Sequence, residues 1–276
     1  MRLSKLTIIF FCGAMILVLP YVSAQRRGRA QRREAPPVKL ARYRDNNCVV
    51  CHAGITEPLA LSNHFYQWMG SKHELGGASC ERCHGGDPAV KDAAQAHRGV
   101  HKPSVPESTI HEKNLPRTCG ACHQQISAVF VKSEHYRKLE NSEGAPTCAT
   151  CHQHMATSVI YWPPETAKLC AGCHNNKGGS APNHLAEPQK AQDVISAFTR
   201  ADEIVEWTRH LIDANQGRRA QLRQEAEELR LLDRTLKESK LDWHEFNLDS
   251  SRKKADAVFF KGYQLKEALW KKLPVN

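Results

Sequence analysis

The chain has no cysteine to spare. Ten of its 11 cysteines stand in one repeated pattern, and the last, Cys12, lies in an apolar N-terminal segment. No thiol pair is left for a disulfide framework. Aliphatic residues are thin between residues 47 and 187, where Gly, Pro, Ser, Asn and His are common. A stretch so poor in apolar side chains cannot close a conventional core, which excludes an ordinary globular domain there. The sequence also has no C-x-x-C-K. Phe10-Phe11-Cys12 lacks the small residue expected before a lipidated cysteine, which disfavours a lipoprotein.

What is present is C-x-x-C-H, five times: Cys48 to His52, Cys80 to His84, Cys119 to His123, Cys148 to His152 and Cys170 to His174. Each copy reads as a c-type haem attachment site. Two thiols at this spacing, Cys48 and Cys51, Cys80 and Cys83, Cys119 and Cys122, Cys148 and Cys151, or Cys170 and Cys173, reach the vinyl groups of one haem. The adjacent histidine then supplies the proximal iron ligand. Zinc ribbons need paired C-x-x-C units and no obligatory following histidine, so they fit poorly. The expected cofactor is five covalently attached haem c groups with their iron. Stacked macrocycles then form the core, and the chain without haem should be largely unfolded.

Ten further histidines are available as distal ligands. His73 and His135 share the context aromatic-x-x-Ser-x-His, in Trp68-Met-Gly-Ser71-Lys-His73 and Phe130-Val-Lys-Ser133-Glu-His135, each upstream of an attachment site. His154 follows a proximal histidine by two residues and cannot reach that haem's far face, so it would serve a neighbour. His97, His111 and His184 complete the candidate set. His64, in a third Ser-x-His, and His101 are reserves. His210 and His244 fall on predicted helices and read as surface or packing residues.

The formal charge of +10 could suggest nucleic acid or anionic membrane. Haem propionates offset it by about −5 when all five haems are oxidised and about −10 when reduced, by simple charge counting. Nucleic acid is therefore not an expected partner. Residues 1–24 read as a secretory signal cleaved after Ala24, with an uncleaved membrane anchor as the rival reading. Both put the haems outside the cytoplasm, with the periplasm as the expected site. Residues 25–46, with eight Arg or Lys against Glu34 and Asp45, read as a basic disordered linker.

From about Pro188 the pattern changes to helical periodicity. Val194, Phe198, Ala201, Val205 and Ile212 mark one stripe. Leu222, Ala226, Leu229, Leu232 and Leu236 mark a second, and Ala255, Phe259, Gly262, Leu265 and Leu269 a third. The expected fold is mainly α with extensive loops. A multihaem cytochrome c domain over 47–187 is followed by a C-terminal bundle of long helices over 188–276.

Trp68 to His73 running into Cys80-Glu-Arg-Cys83-His84-Gly-Gly, the stretch Cys119 to His152, and the terminal long helices carry a family resemblance. The chain resembles bacterial multihaem cytochromes that include hydroxylamine oxidoreductase, pentahaem nitrite reductase and their tetrahaem electron-accepting relatives. The resemblance implies the fold and electron transfer. It does not extend to catalysis. The nitrite reductases carry a C-x-x-C-K, and hydroxylamine oxidoreductases a tyrosine cross-linked to the catalytic haem. None of Tyr43, Tyr66, Tyr136, Tyr161 or Tyr263 matches that role. The expected function is a periplasmic carrier passing electrons through mostly bis-histidine haems between a donor and an acceptor protein. A membrane surface or a membrane quinol-oxidising partner, and an oligomer, stay open. The alternative is an oxidoreductase acting on nitrite, hydroxylamine or nitric oxide at one open haem, with His52's as the first to examine.

Overall fold

The computed structural model describes residues 40–153 and 159–273. The expected signal sequence, most of the basic linker and His154 lie outside the described residues. Among the described residues all regular structure is helical, and no helix is long and apolar enough to cross a membrane. Ten short helices come first: α1 Asn47–His52, α2 Leu59–Trp68, α3 Lys72–Leu75, α4 Glu81–His84, α5 Ala93–Ala96, α6 Leu115–Gly120, α7 Gln124–Phe130, α8 Glu134–Glu140, α9 Cys148–His152 and α10 Pro163–Ala171. Three long ones follow: α11 Glu187–Ala214, α12 Arg223–His244 and α13 Leu248–Lys272.

The long helices form an up-down-up bundle whose register is visible in its side-chain pairs. Lys190 meets Asp249 at 3.0 Å and Arg252 meets Asp193 at 2.7 Å, so α11 and α13 run the same way. Lys240 meets Asp202 at 2.7 Å and Arg209 meets Asp233 at 2.6 Å, so α12 runs opposite to α11. Exposed pairs of this kind contribute little stability each. The stripes do the holding: Val194, Phe198, Ala201, Val205, Leu229, Leu232, Leu236, Ala255, Leu265 and Leu269 are all buried together. Burying a side chain of the Val or Leu class stabilises by roughly 1.5–3 kcal/mol. Gly262 lets α13 approach α11 closely, since a Cβ there would lie 2.9 Å from Ile204 Cγ2. Ala226 is only half-buried, and the buried place beside it belongs to Glu225.

The helix ends follow local chemistry. Pro188 sits in the first turn of α11, where its missing N–H costs nothing. Gln216–Arg218 form a short turn of 3-10 helix between α11 and α12, where Gln216-Gly217 predicts a break. The Asn247 side chain caps α13 by accepting from Ser250 N at 3.3 Å.

The region of short helices is built differently. Among the described residues its buried apolar cluster is Val49, Phe65 and Trp68, with Tyr43, Ala53, Met69 and Cys80 around it. The end of the basic stretch read as a disordered linker over 25–46 is ordered across residues 40–46. Tyr43 packs edge-on against Trp68 at 5.2 Å and donates to Glu74 Oε1 at 2.8 Å, which charge composition could not reveal. The two regions meet where α7 lies against α12 and α10 against α11. Phe246, in the turn between α12 and α13, reaches across to Phe130 at 6.3 Å and to His135 at 3.9 Å. Its φ of 63° is strained for an aromatic residue, so these contacts fix an otherwise unfavourable turn.

Candidate metal centres

All five motifs share one local shape. The histidine amide donates to the first cysteine's carbonyl at 2.9 Å in His84, 2.9 Å in His123 and 3.0 Å in His174. The other two motifs lie wholly within α1 and α9. One helical turn puts residues i, i+3 and i+4 on a common face, so both sulfurs and the imidazole project together. The Asn46 side chain starts the first of these turns by accepting from Val49 N at 3.1 Å. Thr147 and Thr150 box the start of the fourth.

Consecutive motifs are neighbours in space. Burial raises Cys80 to about 11, and Cys48 adds to the shift. Burial also raises Cys83, with Cys119 and Cys122 next in effect. Cys119 is pushed up by a hydrogen bond with Cys148 and then by burial. Cys170 rises to about 11 through burial, with Cys151 contributing. The attachment cysteines thus follow one another through the fold in chain order.

Opposite the motif histidines stand other imidazoles. His52 faces His97 at 5.9 Å between ring centroids, and His123 faces His73 at 6.1 Å. His152 lies parallel to His244 at 6.3 Å, with 10° between the planes. His174 faces two rings, His135 and His184, each at 6.0 Å. These gaps are too wide for a hydrogen bond. A metal–imidazole bond is about 2.0–2.1 Å and the centroid lies about 1.1 Å behind the nitrogen, so rings on opposite sides of one ion sit roughly 6.3 Å apart. The residues present therefore fit an iron held between two histidines.

Two of the facing rings are also oriented from behind. His97 Nδ1 lies 2.7 Å from Ala93 O, and His244 Nδ1 lies 2.6 Å from Lys240 O. Donation to these carbonyls leaves Nε2 free as the ligating atom. Burial holds His52, His152 and His244 below the usual imidazole range. It lowers His135 to about 4, with His174 adding to the effect. Each shift favours the neutral ring, which is the form that binds metal.

The structure brings His73, His97, His135 and His184 against motif histidines. His111 is not so placed: its Nδ1 accepts from Lys113 N at 3.3 Å, and among the described residues it faces no other imidazole. His210 is exposed and pairs with Glu206 at 3.3 Å, as its surface reading expects. His244 corrects the sequence reading. Read as a surface or packing residue, it instead stands opposite His152 with the spacing of a ligand pair. Periodicity gave no signal for it, because the buried stripe of α12 continues through Trp243 and His244 stands one position off it.

Motif turns whose sulfurs and imidazole share a face, set opposite free imidazoles, define a multihaem c-type cytochrome with covalently bound haem c. Comparison with known proteins supports that class. A family described as cytochrome c554 and c-prime matches residues 21–85, which include the first two motifs. The C-type polyheme cytochrome OmcC of Geobacter sulfurreducens is 28% identical over 172 residues, covering 51% of this chain and 22% of that protein. OmcB of the same organism is 25% identical over 194 residues, covering 50% of this chain and 26% of that protein. The chain thus spans about a quarter of the length of these relatives. No solved structure matches it.

Proposed function

We infer that this chain is a pentahaem electron carrier, working outside the cytoplasm between a donor and an acceptor protein. The observation that carries the reading is the facing imidazole at His52, His123, His152 and His174. When bound, a haem between two histidines supplies a one-electron couple without an open coordination position. The cysteines hold each macrocycle in place, and the paired rings keep small molecules off the iron. The chain-order succession of cysteines supports a single path from the first site to the fifth.

For His84 we assign His64 as the opposite ring. His64 lies on α2 in the third Ser-x-His. Its helix is docked on the second motif, because Phe65 and Trp68 cluster with Cys80 and Trp68 Nε1 donates to Ala78 O at 2.8 Å. The relation to hydroxylamine oxidoreductase and pentahaem nitrite reductase rests on the motif resemblance. Export rests on residues 1–24.

The test uses the mature protein. Mass spectrometry should find five haem additions. Electron paramagnetic resonance of the oxidised chain should be low-spin throughout, with no carbon monoxide adduct on reduction. His244→Ala should convert one haem to high spin while all five stay attached. A stoichiometric high-spin haem in the unaltered protein that turns over nitrite or hydroxylamine would overturn the carrier reading in favour of the enzyme.

A further inference from the structure

The fifth motif differs from the others in one respect. Its proximal His174 has two imidazoles at equal ring distance, His135 and His184, both at 6.0 Å. An iron bound to His174 has one remaining axial position, so one of the two rings is surplus at any moment. The rings come from unlike settings. His135 lies on α8, whose start is capped by Ser133 accepting from Tyr136 N at 3.1 Å, and it is covered by Phe246. His184 lies on an exposed loop just before α11.

At this site two ring nitrogens have no acceptor behind them. His135 Nδ1 and His174 Nδ1 are buried without a hydrogen-bond partner. By contrast, His97 and His244 are each fixed by a backbone carbonyl. A second-shell acceptor is what ordinarily locks a ligating ring. Without one, neither His174 nor the His135 ring opposite it is locked in place by hydrogen bonding.

We propose that His135 and His184 are interchangeable sixth ligands of the haem at His174, His135 resident and His184 its replacement from the loop. With haem bound, the exchange would break the iron bond to His135 and form one to His184. Each imidazole would bind as the neutral ring, so the iron's oxidation state would not change in the exchange. The terminal site of the path is then the one where coordination, and with it redox potential, can change without opening the iron. The proposal rests on the reading that a haem is held by Cys170, Cys173 and His174.

Single and double variants of the mature protein test it. His135→Ala should keep five haems by mass and an all low-spin spectrum, with a shifted potential for one haem. His184→Ala should leave spin state unchanged. The double variant should show one high-spin haem in five, which binds carbon monoxide when reduced. The proposal is overturned if His135→Ala alone yields that high-spin haem, or if the double variant stays low-spin. His135→Gln repeats the test if the alanine chain loses a haem. Fewer than five haems in the unaltered protein would instead count against the pentahaem reading itself.

Discussion

Two regions of one chain solve the problem of a core in opposite ways. Residues 187–273 close on a continuous set of buried aliphatic and aromatic side chains, from Ala191 to Leu269. Among the described residues of 40–186, the buried apolar side chains are few: Val49, Phe65, Trp68, Pro116, Phe130 and Leu139. In their place are ten cysteines and paired imidazoles set about an ion's width apart. The first region is held by the hydrophobic effect, which needs only the chain. The second is held by ligation, which needs the cofactor. The contrast explains why long helices appear only where apolar stripes exist. A short turn carrying two thiols and a histidine is enough where macrocycles fill the interior.

The sharpest way to break this comparison is to withhold haem. Chain made where haem cannot be attached should be digested rapidly between residues 47 and 186, while the 187–273 segment survives. Limited proteolysis followed by mass spectrometry reads the outcome, and equal resistance of both regions would end the distinction. A smaller effect is expected from Leu236→Ala in the bundle. Truncating a buried leucine costs about 2–5 kcal/mol, so the thermal midpoint should fall while haem content by mass stays the same.

Smaller still is an effect that crosses between the regions. Lys240, whose carbonyl orients His244, is tied through its side chain to Asp202, which also accepts from Tyr161 at 2.6 Å. Asp202→Ala should shift the potential of one haem without changing spin state or haem number. Potentiometric titration checks this, and an unaltered titration curve would show that the bundle positions His244 without that network.

The smallest effect concerns the bundle alone. The buried Glu225 carboxyl is held below its usual range, first by the hydrogen bond from Lys272 and against the opposing effect of burial. A carboxyl with a depressed folded-state value stabilises above its unfolded value, and that contribution fades as pH falls through the folded one. Glu225→Gln should therefore cost about 1 kcal/mol at neutral pH, the scale of a partly exposed ion pair. The difference from the unaltered chain should vanish in acid below the carboxylate range. Denaturant melts at both pH values supply the comparison.

Much of the site is readable in one dimension because haem attachment is a local reaction. Cys48, Cys51 and His52 must lie within one helical turn, and so must their four counterparts, so spacing alone identifies them. The bundle is readable for a similar reason, since Leu229, Leu232 and Leu236 repeat with the period of the helix itself. Distal partners are another matter. His73 lies just upstream of the second motif yet faces the histidine of the third, and His97 lies beyond the second motif yet faces the first.

His244 marks the boundary most clearly. Sequence periodicity puts it on a helix, but nothing in the periodicity says that α12 ends where its last ring can face His152, nearly a hundred residues earlier in the chain. The sequence by itself determined the C-x-x-C-H turns, the helical class and the stripes of the bundle, because each depends on residues within a turn or two of one another. The tertiary structure alone decided which imidazoles face each other and which site has two to choose from. Ligation across a metal joins residues by distance in space, and chain separation carries no information about that distance.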